Sequence, residues 1–192
     1  MHFDPANPKF ILALVVIVLI VVIGVALIVR ERKKKTSKLR GRFGSEYDRA
    51  VLEHGSESKA EAKLEAREER VDHLKIRDLS ATERERFVTE WQVVQSRFVD
   101  HPKGAVIEAD ELVSSQMQAR GYPVADFEQR AADISVNYPR VVEYYRSAHA
   151  VAVRMGRDEA TTEDLRTAIV QYRTLFDELL QVHTRSEVHA MA

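Results

Sequence analysis

The chain has no cysteine among its 192 residues, and glycine and proline are scarce, with 7 and 5 copies. The absence of cysteine excludes disulfide bonds, thiolate zinc sites and thiol catalysis. Beyond residue 42 no run alternates apolar and polar residues in the way that predicts a β-strand, and glycine and proline fall between segments of helical periodicity. The sequence therefore predicts an all-α protein.

Acidic residues are almost absent from the first 42 positions, which hold 2 of the 30 Asp and Glu but 9 of the 29 Lys and Arg. Residues 43–192 have the opposite balance, with 28 acidic and 20 basic side chains. The formal net charge of −1 is thus the sum of two oppositely charged parts. The second part is long enough for one domain with its own core.

Residues 10–29 form a run without a charged side chain, in which 17 of 20 residues are Phe, Ile, Leu or Val. As a helix this run is about 30 Å long, the thickness of a bilayer core, and its insertion is favourable by about 5–10 kcal/mol. A cleaved signal peptide has a shorter apolar core after a basic start. A core helix that is apolar on all sides needs a larger protein around it. We therefore expect a transmembrane helix at 10–29, after a short exoplasmic N-terminus at 1–9.

A basic juxtamembrane segment, residues 30–42, follows the apolar run. Basic residues stay on the cytoplasmic side during insertion, which predicts a single pass through the inner or plasma membrane with the C-terminal domain in the cytoplasm. The segment is also expected to attract anionic lipids. Nucleic acid is not an expected partner, because the acidic domain would repel phosphates. The basic residues are Arg30, Arg32, Lys33, Lys34, Lys35, Lys38, Arg40 and Arg42.

Three segments are predicted beyond residue 42. Residues 43–78 hold a short helix and a charged amphipathic helix, 79–182 form a helical bundle, and 183–192 lack an apolar period and are expected to be a flexible tail. The short helix spans Ser45–His54 and ends at Gly55.

Capping patterns and prolines give the starts of several helices. Ser58 with Glu61, and Ser80 with Glu83, match the capping-box pattern, and Thr161 or Thr162 is expected to cap the last helix. The segment Asp100–Gly104 is predicted to end the helix that begins at Ser80. The next helix is predicted at about 105–120, and another from about Asp126 to Ser135. Pro139 fits the first turn of the helix after that one.

The charged helix has a narrow apolar stripe of Ala60, Leu64, Val71 and Leu74, with Arg67 at an intervening position. The spacing is heptad-like, and in a parallel pair Lys63 would face Glu68 of the second copy. A parallel homodimer anchored in one membrane is thus one hypothesis. The alternatives are that the stripe packs on its own domain or that the helix is a solvated spacer.

Several segments after Arg42 have a recognisable order: RFGSEYDRAV, the charged helix, GYPVADFEQRAADISVNYP and YYRSAH. In these segments, which cover most of the chain, the sequence resembles a family of bacterial proteins with an N-terminal membrane anchor, to which no activity is attached. The resemblance implies the anchored helical architecture and transfers no catalytic residue.

No established catalytic or cofactor motif is present. None of the seven histidines follows a Glu by three positions, and the metalloprotease, P-loop, dinucleotide-binding, nucleophile-elbow and EF-hand patterns are missing. We therefore expect no catalytic residue, no metal ligand and no cofactor.

One region carries polar and aromatic groups that could line a ligand cleft, between Gly121 and His149. The alternative is that its tyrosines cover the edges of the core and its charges cap a helix or face water. The candidate ligand-binding residues are Tyr122, Asp126, Glu128, Arg130, Tyr145 and His149.

Two functions from different classes remain open. The first, which we favour, is a membrane-tethered cytoplasmic interaction or scaffold domain that binds a protein partner without catalysis. The second is a helical domain that binds a small ligand or acts as an enzyme through the polar and aromatic region at 121–149.

Overall fold

The computed structural model describes residues 8–181, which contain eight α-helices and no β-strand. The all-α prediction is confirmed. The tail predicted from His183 lies outside the described residues, as does the N-terminus before Pro8. The helices are α1 (Pro8–Phe43), α2 (Ser45–His54), α3 (Glu57–Asp72), α4 (Ala81–Arg97), α5 (Pro102–Ala119), α6 (Phe127–Asn137), α7 (Val142–Met155) and α8 (Thr162–Leu180).

The chain divides into two compact units between Gly41 and Arg42. The first unit consists of most of α1, and within the described residues α1 is the one helix that is long and apolar enough to cross a membrane. Its Val, Ile and Leu side chains from Leu14 to Val29 are between 45 % and 63 % exposed. Contiguous exposed apolar surfaces of this size are rare on soluble monomers and mark membrane or protein interaction sites.

The main core of the second unit lies among α4, α5, α7 and α8. Trp91 of α4 is 1 % exposed and stacks on Phe176 of α8, with ring centroids 4.7 Å apart. Polar side chains at the C-terminal end of α5 hold the end of α8. Gln116 Nε2 donates to the Phe176 carbonyl at 3.1 Å, and Arg120, the residue after α5, donates from Nη1 to the Leu179 carbonyl at 2.8 Å. The last four carbonyls of a helix have no partner within the helix, so the bond from Arg120 satisfies a Leu179 carbonyl that would otherwise be unpaired.

The capping signals define several helix ends. Gly55 adopts a left-handed conformation at φ 73° and ends α2, as predicted. Ser80 with Glu83 forms the predicted capping box, and Thr161 forms one with Asp164. The bonds from Thr161 and Arg154 lower the pKa of Asp164 to about 2, so this exposed carboxylate is charged throughout the neutral range.

Three boundaries differ from the sequence prediction. Ser56 rather than Ser58 caps α3, since its hydroxyl accepts the Lys59 N–H. Pro102 begins α5 before the predicted start at Ala105, because the first helical position does not need an N–H donor. Pro139 lies in the turn before α7, where the Tyr138 carbonyl accepts the N–H groups of Val141 and Val142.

The apolar stripe of α3 packs inside its own unit. Ala60 and Leu64 are 0 % exposed and Val71 is 4 % exposed, and α3 contacts α2 and α6. Tyr47 of α2 donates to Glu61 of α3 at 3.1 Å. Pairing of two copies through this stripe would first require α3 to leave α2, so the structure supports the alternative in which the stripe packs on its own domain.

Candidate functional site

The eight basic residues at 30–42 all lie on α1, so the predicted juxtamembrane segment is helical, and these eight basic side chains are exposed. Lys34 pairs with Glu31 at 3.0 Å, and both side chains are more than half exposed. Such an exposed pair adds little stability. Arg42, at the start of the second unit, has its Nε 3.0 Å from Glu68 Oε1. The other six basic residues of the segment are Arg30, Arg32, Lys33, Lys35, Lys38 and Arg40.

Three of the six candidate ligand-binding residues have structural partners away from one another. Tyr122 is buried, and its hydroxyl accepts from Asn137 Nδ2 at 2.8 Å. Asp126 caps α6 by accepting the Gln129 N–H at 2.8 Å. Glu128 is exposed and accepts from Arg146 Nη1 at 2.8 Å. These contacts match the alternative in which the region's polar groups serve the fold.

The other three candidates come together where α6 packs on α7. Arg130 Nε donates to the Tyr145 hydroxyl at 3.0 Å. The ring of His149 stacks on Phe127, with centroids 3.5 Å apart and planes 7° apart, and the Phe127 ring lies 5.0 Å from that of Tyr145. The sequence placed these residues in one polar and aromatic region, and the packing of α6 on α7 makes them neighbours.

Three further residues complete this group, and the sequence analysis missed them. Asp110 of α5 has its Oδ2 3.5 Å from Arg130 Nη2. Ser114 lies one turn later on α5, and Tyr172 of α8 meets Tyr145 edge-on at 6.1 Å between ring centroids. We call the six residues the polar cluster: Asp110, Ser114, Arg130, Tyr145, His149 and Tyr172.

A signal for Asp110 and Ser114 was present in the sequence. Val106, Val113 and Met117 form the buried face of α5, and positions 110 and 114 fall on that face at helical spacing. A carboxylate and a hydroxyl on an apolar face are unusual. Tyr172 gave no such signal, because its position in the apolar stripe of α8 is typical of a core aromatic.

Burial sets the protonation of the polar cluster. It raises the pKa of Tyr145 to about 12, with the Asp110 charge adding to the effect, and it raises the pKa of Tyr172 further for the same two reasons. It also lowers the pKa of His149, although the Asp110 carboxylate opposes this shift. Both tyrosines are therefore protonated and His149 is neutral at pH 7.

The described residues offer no group of three His, Asp or Glu side chains that could hold a metal ion. The polar cluster contains one carboxylate and one guanidinium, so its formal charges balance. What this arrangement can do is form hydrogen bonds, through hydroxyl, carboxylate and imidazole groups from three helices.

No protein-family profile, curated protein or solved structure matches this chain. The resemblance described above therefore stays an expectation.

Proposed function

We infer that the chain is a membrane-tethered helical domain that faces the cytoplasm and acts by binding a protein partner, without catalysis. The observation that carries this proposal is α1, whose exposed apolar side chains from Leu14 to Val29 make it long and apolar enough to cross a membrane. The helix continues from this surface into the basic segment at 30–42.

The basic segment supports the orientation of the proposal. Eight Lys and Arg side chains follow the apolar surface on the same helix, with Glu31 as the one acidic residue among them. Basic residues next to a span stay in the cytoplasm, and each is attracted to anionic headgroups by about 1 kcal/mol. The second unit, on the C-terminal side of this segment, is therefore cytoplasmic in this proposal.

A groove between α4 and α5 supports the binding role. Its volume is about 360 Å³, and its apolar part includes Val93, which is 44 % exposed. Three glutamates, Glu90, Glu108 and Glu111, flank the apolar part. Glu90 and Glu108 pair with Arg86 and Arg97 of α4 at 3.7 and 2.6 Å, so the charge match to a basic amphipathic segment of a partner depends mainly on Glu111. The remaining lining residues are Val94, Leu112 and Ser115.

A photo-crosslinking amino acid at position 93 of the full chain tests this proposal in cells. We expect a discrete crosslinked protein from position 93 and none from position 170, because Val170 is 61 % exposed but does not line the groove. Adding Glu111→Lys should reduce the crosslink several-fold, since it reverses the charge at the groove edge. Equal products from positions 93 and 170, or none from position 93, would contradict the proposal.

A further inference from the structure

A groove runs along one face of α1, at the point where the apolar run meets the basic segment. Its volume is about 840 Å³, within the range of sites that hold small molecules. Ala26 and Val29 line its apolar end, and Ser37 lies among the basic residues that line the rest. We call this surface the α1 groove, and its basic residues are Arg30, Lys33, Lys34 and Lys38.

The α1 groove gives the basic segment two unlike faces. Because successive residues of an α-helix are turned by about 100°, Arg30 and Lys33 lie about 60° apart on the groove face. Arg32 and Lys35 each follow one of these residues by two positions, so they lie about 200° further round the helix. Neither of them lines the groove, and they form a basic pair on the opposite face.

Most of the positive charge in the α1 groove is uncompensated. Lys34 pairs with Glu31 at 3.0 Å, but among the described residues no acidic side chain pairs with Arg30, Lys33 or Lys38. Cations next to a low-dielectric medium attract an anion more strongly than cations in bulk water do. The groove is therefore complementary in charge to an anionic group at the membrane surface.

The order of residues along the groove selects an amphiphile. Ala26 and Val29 belong to the apolar run, so they lie at the depth of acyl chains if α1 spans the bilayer. Arg30 is the first charged residue after them, and Lys33 lies about 4.5 Å further along the helix axis. A phospholipid matches both parts, whereas a soluble phosphate would contact the basic part alone.

We propose that the α1 groove binds one anionic phospholipid of the cytoplasmic leaflet. Its phosphate lies at Arg30 and Lys33, and one acyl chain lies along Ala26 and Val29. The inference rests on the proposed function, because it requires α1 to span the membrane. It goes beyond the general attraction of the basic segment for anionic headgroups, since that attraction depends on the number of charges and not on the face where they lie.

Native mass spectrometry of the full chain, released from detergent micelles titrated with phosphatidylglycerol, tests this proposal. We expect the wild type to bind one phosphatidylglycerol before a second. The double variant Arg30→Gln/Lys33→Gln should raise the Kd of this first lipid at least about five-fold. Arg32→Gln/Lys35→Gln is the matched control, because it removes the same two charges from the opposite face, and its Kd should rise less than about two-fold. Equal losses in the two variants, or no first lipid on the wild type, would overturn the proposal.

A change without loss of charge tests the apolar end of the groove. Ala26→Phe fills this end with an aromatic ring and should also raise the Kd of the first phosphatidylglycerol several-fold. Ile28→Phe places the same ring on the opposite face, since position 28 is about 200° from position 26, and should leave the Kd unchanged. An unchanged Kd for Ala26→Phe would show that no acyl chain lies along this end.

A soluble headgroup separates a lipid from a phosphate ion as the occupant. Glycerol 3-phosphate has the phosphate of phosphatidylglycerol but no acyl chain, so at equal concentration it should not displace the bound lipid. Displacement would contradict the lipid as the occupant and identify a site for phosphate alone.

Insertion into neutral vesicles distinguishes a failure of this proposal from a failure of the proposed function. The wild type and all four variants should float with phosphatidylcholine vesicles after an alkaline wash, because the apolar run is long enough to span the bilayer in each of them. A wild type that does not float would overturn both the anchor and the groove. Chains that float, with equal loss of the first lipid in the two double variants, would overturn the groove alone.

Discussion

Replacing Gly121 with alanine should destabilise the second unit by at least about 2 kcal/mol, because both the backbone and the available space oppose a side chain. Gly121 has φ of 101°, and an added Cβ would lie 2.5 Å from the Lys75 carbonyl oxygen and 3.2 Å from its carbon. These backbone atoms cannot move freely, since the Arg77 N–H next to them donates to the Arg120 carbonyl at 2.8 Å.

Gly55→Ala is the matched control for this substitution. Gly55 also has a positive φ, of 73°, but nothing lies within 4 Å of an added Cβ. The free energy of unfolding of Gly55→Ala should therefore fall by only about 1 kcal/mol, the cost of placing alanine at a positive φ. Urea unfolding monitored by Trp91 fluorescence compares the two variants, and equal free energies of unfolding would contradict the close approach at Lys75.

Glu46→Gln should destabilise the same unit by about 3–5 kcal/mol, the range found when one partner of a buried ion pair is removed. Glu46 is 3 % exposed, and its carboxylate accepts from Arg146 Nε at 2.8 Å and from Arg67 Nη1 at 3.5 Å. Burial already lowers the pKa of Arg67, and Glu46 opposes that shift. Without the carboxylate, the partly buried guanidinium groups of Arg67 in α3 and Arg146 in α7 lose their shared counter-charge, although Arg146 keeps Glu128 at 2.8 Å.

Glu163→Gln is the control for the loss of charge alone, because Glu163 is 71 % exposed and pairs with Arg166 one turn away on α8. Its effect should stay within about 0.5 kcal/mol. A Glu46→Gln variant as stable as Glu163→Gln would show that the Glu46 pairs do not hold α2 to α3 and α7.

Local signals in the sequence predicted the helices well. The capping box at Ser80 and Glu83 and the left-handed end at Gly55 depend on residues within one turn, so their patterns can be read without knowing the rest of the fold. Pro102 and Pro139 show the limit of this approach. Proline is compatible with the first turn of a helix and with a turn before it, and only the packing of α5 and α7 decides between these positions.

Contacts between distant helices could not be predicted from spacing. The stripe of α3 indicated an apolar partner, but nothing in it distinguished α2 of the same chain from a second copy. Glu46 looked like an ordinary charge in the first turn of α2, and its burial follows from Arg146, which is 100 residues away. Only three of the six residues of the polar cluster were among the candidates from the sequence. The other three, including Asp110 and Tyr172, come from helices outside the 121–149 region, and spacing within that region gives no information about them.

We propose that α1 holds the helical domain in the cytoplasm. The most direct test is to label single cysteines with a membrane-impermeant maleimide. The chain has no native cysteine, so Leu52→Cys, at a side chain that is 85 % exposed, gives a unique thiol in the domain, and Ala6→Cys gives one before the apolar run. In cells with a sealed plasma membrane, we predict labelling of Ala6→Cys but not of Leu52→Cys, which should react only after permeabilisation. Labelling of Leu52→Cys in the sealed cells would contradict the account.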